Sequence, residues 1–184
     1  PGASPVSSMS SVPERSEIDR EYKWALDGVF DDVEAWEAAY ADVQDRIEDL
    51  RERETDAFAD GEELLATLEL RDEVMRRVST VAAYARMRSD QDTRDQEMQA
   101  LSSRGRALAS EASSAASFVE PAVQSLDRAT LDEMVETTDG LEEYAHHLDD
   151  VVRMKPHTRS AEVEALLSDL GESVPASTLN RWCA

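Results

Sequence analysis

The sequence predicts an all-α protein, an antiparallel bundle of long helices joined by short loops. Apolar residues recur at steps of three and four through several long stretches, the spacing that gathers them on one helix face. No stretch of useful length alternates polar and apolar residues as a half-buried strand would. Glycine and proline number only six each in 184 residues, and much of the proline lies near the ends, so few breaks interrupt the middle. Hydrophobic residues make up 41% but aromatics only 5%, so the core has to rest mainly on Leu, Val, Ala and Met.

Residues 1–17 are rich in Ser and Pro without an apolar period and read as a disordered lead-in, in which Met9 looks like a natural start. Asp31 or Asp32 caps a first helix carrying Val33, Trp36, Tyr40, Val43, Ile47 and Leu50 on one face and ending near Glu54. A second helix opens around Gly61, places Leu64, Leu65, Leu68, Met75, Val78, Ala82 and Ala85 on one face, and runs to about Arg88. The third spans about Thr93 to Val119, with Asp92 as its N-cap and Asp95 in a first turn that favours negative charge. Its stripe is Met98, Leu101, Gly105, Leu108, Ala112, Ala115 and Val119, thin enough around Gly105 for a neighbouring helix to approach closely. Beyond Pro121, the Thr130-x-x-Glu133 pattern of a capping box opens a short helix. A further helix from Asp139 carries Leu141, Tyr144, Ala145, Leu148, Val151 and Val152, and a last one from Ser160 carries Val163, Leu166, Leu167 and Leu170. The expected organisation is a lead-in over 1–17, a helical domain over 18–170 and a divergent tail over 171–184.

Charge narrows the function. The chain holds 41 acidic against 19 basic residues, a formal net charge of −22, and all but two of the basic residues are Arg. Such a surface repels phosphate backbones and anionic headgroups, which argues against a nucleic-acid or membrane-surface partner. The balance is that of a protein from a high-salt cytoplasm, where a Debye length of about 3 Å at ~1 M salt screens the self-repulsion. A G+C-rich genome would account for the Arg but less well for the excess of acid. The single cysteine, Cys183, has no partner for an internal disulfide, as expected in a reducing compartment. No apolar run reaches the ~18–20 residues of a membrane span, and no signal-peptide core stands near the N-terminus. The expected location is the cytoplasm.

One stretch runs against the charge. Between Val151 and Ser160 stand Arg153, Lys155, His157 and Arg159, a basic island on a bend where Pro156 stops one helix and Ser160 caps the next. These four side chains are the candidate contact residues, for acidic groups of another domain or for a peptide carboxylate. Equally, cations at a helix C-terminus offset its dipole and pair with Asp149 or Asp150.

The island lies in a longer pattern. Leu141-x-x-Tyr144, Leu148 and Arg153-x-Lys155-x-His157 lead into Glu162-x-x-Ala165-Leu166-Leu167. Upstream stand Trp24-Ala25-Leu26-x-x-Val29-Phe30, then Trp36, then the run from Tyr84 to Thr93. In order and spacing, over roughly residues 18–170, this resembles the N-terminal helical region of oligoendopeptidase F, a zinc metallopeptidase family related to thimet oligopeptidase. The resemblance implies that the Asp90–Asp95 segment is the hairpin between two long helices. It also implies that the helices cover a peptide groove and admit short unstructured peptides, with zinc-activated water and a Glu general base in a later part of the protein. The end, Ser173 to Ala184, departs from the family's pattern and reads as a truncation or frameshift, so the expectation is a fragment whose partners are short peptides and a missing catalytic domain.

The chemistry of the residues themselves agrees. A zinc peptidase of this type needs H-E-x-x-H on a helix, two His at i and i+4 facing one metal. The three histidines are His146, His147 and His157; none precedes a Glu and no two lie four apart. Adjacent His146 and His147 diverge by about 100° on a helix. The run Asp90-Gln91-Asp92-Thr93-Arg94-Asp95 fails as a calcium loop, with Arg94 at the fifth position and Asp95 where Gly is required. Acidic pairs such as Asp31-Asp32, Glu62-Glu63 and Asp149-Asp150 read as helix starts or solvated faces, and the serines from 102 to 117 lack a nucleophile-elbow context. No catalytic or metal-binding residue is therefore expected in this chain, no cofactor of its own, and no peptidase activity from it alone. The alternative is a free-standing acidic helical module that holds a protein partner in an exposed groove, with a dimeric structural bundle as a weaker third reading.

Overall fold

A computed structural model describes residues 18–22, 25–55 and 58–154. Among them there is no strand. Six α-helices follow in order: α1 Val33–Glu52, α2 Gly61–Gln91, α3 Gln96–Ala116, α4 Val119–Ser125, α5 Arg128–Thr137 and α6 Ala145–Met154. Single 3-10 turns stand at Arg20–Tyr22, Leu26–Gly28, Arg53–Thr55 and Leu141–Tyr144. The lead-in over 1–17, the island residues Lys155, His157 and Arg159, the helix expected from Ser160 and the tail over 171–184 lie outside the described residues. The described residues fall into two compact units: those up to 59 with 63–119, and 60–62 with 120–154.

The first unit is a three-helix antiparallel arrangement whose register can be read from its side chains. Trp36 of α1 donates its indole N–H to the Val81 carbonyl of α2 at 2.9 Å. Further along α1, Asp42 pairs with Arg77 and Arg46 with Glu73, so each step up α1 is a step down α2. On the other side Glu37 of α1 meets Arg104 of α3. The core between the helices holds Trp36, Val43, Ile47 and Leu50 of α1, Val74, Val78, Val81, Tyr84 and Ala85 of α2, and Met98, Leu101, Leu108, Ala112 and Ala115 of α3. Phe30 closes it at one end, its ring edge-on to Tyr84 with centroids 5.1 Å apart.

The α3 stripe is as expected from Met98 to Ala115, but the helix ends at Ala116 and Val119 opens α4, and α2 also differs in detail. Leu65 and Met75 are only half-buried, whereas Val74, Val81 and Tyr84 are buried. Over 31 residues the 3.6-residue turn drifts against any fixed stripe, and β-branched valines at 74, 78 and 81 keep the seam facing inward. Gly105 sits where α3 passes closest to α2: a Cβ there would stand 3.1 Å from the Ala82 Cα.

Helix starts were the least well placed. Asp32 caps α1, its carboxylate accepting from the Ala35 amide at 2.8 Å. The third helix starts later than expected: its N-cap is Asp95, which accepts from the amides of Glu97 and Met98. Asp92 instead closes the preceding turn by accepting from the Arg94 amide at 3.0 Å. Likewise Thr130 does not open α5. Asp127 does, accepting from both the amide and the hydroxyl of Thr130. In both cases the N-cap is an Asp three residues from the expected one.

In the second unit, α5 and α6 are joined through Gly140 and the 3-10 turn Leu141–Tyr144 rather than by one helix from Asp139. Gly140 has φ 94°, a left-handed conformation that a Cβ would strain, and it ends the regular path before the 3-10 turn. Pro121 is tolerated because it falls in the first turn of α4, where an amide hydrogen has no helical acceptor. Leu131, Leu141, Leu148 and Val151 are buried, and the Gln124 side-chain amide donates to the Val151 carbonyl at 3.1 Å.

Candidate functional site

Of the four island residues, Arg153 is described. It stands in the last turn of α6, 71% exposed, with its guanidinium 2.6 Å from the Asp150 carboxylate one turn back. Asp150 also lies 3.6 Å from His146, which is 91% exposed. Next to them Arg128, at the start of α5, forks between Asp132 of its own helix and Asp149 of α6, the latter at 2.6 Å. The hydrogen bond from Arg128 holds the Asp149 carboxyl below the usual aspartate range, and Arg153 and His146 add smaller effects in the same direction. Asp149 is thus a junction between α5 and α6, whereas Asp150 pairs within α6. Arg153 serves the local balance of charge, and its exposure leaves room for a further contact.

Two arrangements in the first unit escaped the sequence reading. The first surrounds Arg104 of α3. Its guanidinium forks onto Glu37 of α1, with the second contact at 2.7 Å, and lies 5.0 Å from the Trp36 ring and 4.5 Å from the Tyr40 ring. The charge is held by a carboxylate on one side and by aromatic faces on the other. The hydrogen bond lowers the Glu37 carboxyl and raises the Arg104 guanidinium. No periodicity links residues 67 apart; only the pairing of α1 with α3 brings them together.

The second is a cleft of about 250 Å³ between α1 and α2, lined by Phe30, Ala39, Val43, Arg76, Arg77, Thr80 and Val81. Its floor is apolar, with Val43 and Val81 buried and Phe30 and Ala39 half-buried. Of its two lining arginines, Arg77 pairs with Asp42 and Glu73, which Arg46 also meets, two positive and two negative charges in balance. Arg76 stands outside that network, exposed, with no described carboxylate as partner.

Among the described residues no group of three His, Cys, Asp or Glu side chains is placed to hold a metal ion. His146 and His147 follow each other at the start of α6 and do not form the i, i+4 pair that zinc peptidases use. Nor is any described helix long and apolar enough to cross a membrane.

Comparison with known proteins gives this architecture a context. A family model described as oligopeptidase F matches residues 123–178. Oligopeptidase PepF of Bacillus subtilis is 30% identical over 169 residues, which is 92% of this chain and 25% of that protein. Group B oligopeptidase PepB of Streptococcus agalactiae is 28% identical over 86% of this chain and 26% of its own length. The crystal structure of oligoendopeptidase-F from Enterococcus faecium superposes on 77% of this chain and 28% of that one, with a TM-score of 0.62 at 26% identity. The chain therefore spans about a quarter of the length of the curated relatives it matches.

Proposed function

The chain is an N-terminal region of oligoendopeptidase F type, and we propose that it covers the peptide groove of a zinc-dependent oligoendopeptidase acting on short peptides. The observation that carries this reading is the lopsided likeness to the Bacillus subtilis oligopeptidase: 92% of this chain is aligned, yet only 25% of the relative. A region so matched does the work of one part of a larger enzyme. Its residues suit a wall better than a reacting centre. The described donors do not fit zinc, so no step of hydrolysis runs through them. Zinc bound elsewhere would supply the activated water. What these helices contribute is shape. Three long rods locked by a shared core and by ion pairs between α1, α2 and α3 stand as a rigid screen, past which an extended peptide fits and a folded protein does not.

We further assign the basic island, Arg153, Lys155, His157 and Arg159, to contact with acidic groups of the catalytic part. Against a chain of net charge −22 such a patch gives an acidic neighbour one place to dock.

The test is a chimera in which this chain replaces the aligned quarter of the Bacillus subtilis oligopeptidase. Cleavage is measured on peptides of increasing length and on an unfolded protein. The expected result is cleavage of short peptides by the chimera and loss of the length limit when the region is deleted. The 184-residue chain alone, with or without zinc, is expected to cleave nothing. A folded chimera with no activity, or a deletion that keeps the same length limit, would overturn the reading.

A further inference from the structure

The cleft between α1 and α2 has a specific chemistry. A volume of about 250 Å³ holds one large side chain and little more. Phe30, Ala39, Val43 and Val81 make its floor apolar, so the inserted group has to be apolar too. The rim carries one positive charge in excess. Asp42 and Glu73 are taken up by Arg46 and Arg77, which leaves the exposed Arg76 guanidinium, among the described residues, as a donor fork with no carboxylate to hold. A guanidinium fork matches a carboxylate, which accepts two parallel hydrogen bonds. Thr80, one turn from Arg76, does not compete for it, because its hydroxyl donates to the Arg76 carbonyl at 3.1 Å.

From this geometry we propose that the cleft binds the carboxyl-terminal residue of a peptide ending in an apolar amino acid. The side chain enters between α1 and α2, and the terminal carboxylate is held by Arg76. A chain-terminal residue carries both groups on one Cα, so a single small cleft takes both. An internal Asp or Glu would instead bring its charge on the side chain that the apolar floor excludes. The choice of a peptide among apolar carboxylates rests on the proposed function. The cleft adds to that reading a point of hold for peptides, one that favours those with a free carboxyl end.

The test titrates the ¹⁵N-labelled chain, and in parallel the chimera, with three ligands: an N-acetyl tripeptide ending in leucine, its carboxamide, and an amidated tripeptide with a central glutamate. Amide signals from Ala39, Val43, Thr80 and Val81 are expected to move with the free acid. The other two ligands are expected to bind roughly tenfold more weakly or worse, the loss of one charge-assisted fork. Arg76→Gln, at an exposed position, should bring the acid down to the level of the carboxamide. Ala39→Leu should fill the cleft and weaken all three ligands while helix content by circular dichroism stays unchanged. Equal binding of acid and carboxamide, indifference to Arg76→Gln, or no binding by folded protein at millimolar ligand would each overturn the proposal. If the chimera cleaves peptides yet the cleft binds none, only the cleft falls. If the cleft binds but the chimera is inactive, only the peptidase reading falls.

Discussion

Arg104 shows how much a single residue position can hide from sequence. Its neighbours along the chain, Ser103 and Gly105, do not announce its partners, and the apolar stripe of α3 passes it by. Folded, it ties α3 to α1 through Glu37 and covers the faces of Trp36 and Tyr40. The pair has a pH signature whose sign follows from Glu37. The Arg104 hydrogen bond holds the Glu37 carboxyl below its ordinary value of 4.5, so the folded state prefers the ionised form. Its contribution is complete above the unfolded value and is lost as pH falls through the lowered, folded one. Both side chains are about 40% exposed, which limits the contribution to below about 1 kcal/mol. Glu37→Gln is therefore expected to unfold at slightly lower urea than the parent at pH 7 and to converge with it in acid. Urea midpoints of both proteins across pH 7 to 3 check this. A gap between them that widens in acid would show that the pair works in the opposite direction.

At the scale of the element, spacing and sterics were legible where one residue type has one use. Met98, Leu101, Gly105, Leu108, Ala112 and Ala115 were read as a single face, and all six are buried. Helix starts were less legible because two residues competed for one role. Asp92 and Asp95 both offer a carboxylate before the same helix, and only the backbone path of the turn decides that Asp95 caps while Asp92 holds the bend. The cleft was invisible for another reason: Phe30, Val43 and Arg76 come from separate segments that only the α1–α2 register brings together. Of the basic island, the described part bears on one residue, Arg153, whose partner Asp150 was among the two expected. The close approach at Gly105 gives the sharpest expectation here. Alanine is the better helix former by about 1 kcal/mol, so on propensity alone Gly105→Ala would stabilise. Its added Cβ, however, would stand 3.1 Å from the Ala82 Cα, a backbone atom that moves only if the whole helix does. Overpacking of this kind costs about 1–3 kcal/mol and should win. Gly105→Ala is expected to lower the urea midpoint, and a higher one would mean that α2 and α3 separate more easily than their packing suggests.

Over the whole molecule, two electrostatic effects oppose each other as salt is added. Ion pairs such as Arg77 with Asp42 and Arg104 with Glu37 lose strength when screened. So does the repulsion among the acidic groups left over, and these are the larger population, because 41 acidic residues face only 19 basic ones. These ion pairs are mostly partly exposed and individually weak, whereas the repulsion acts between every surplus charge and grows as the chain compacts. Stability is therefore expected to rise with potassium chloride from dilute buffer to ~1 M, most steeply at low salt, where the Debye length shortens from roughly 30 Å at 0.01 M to about 10 Å at 0.1 M. Helicity followed by circular dichroism, with thermal midpoints at each salt concentration, measures the slope. An equimolar series in sucrose separates screening from exclusion of solute at the surface, since sucrose strengthens burial without carrying charge. A rise in salt alone would support adaptation to a high-salt interior. If helicity and midpoint hold level down to dilute buffer, the acidic surface is not a burden that salt relieves, and the bias toward Arg then reads more simply as the mark of a G+C-rich genome.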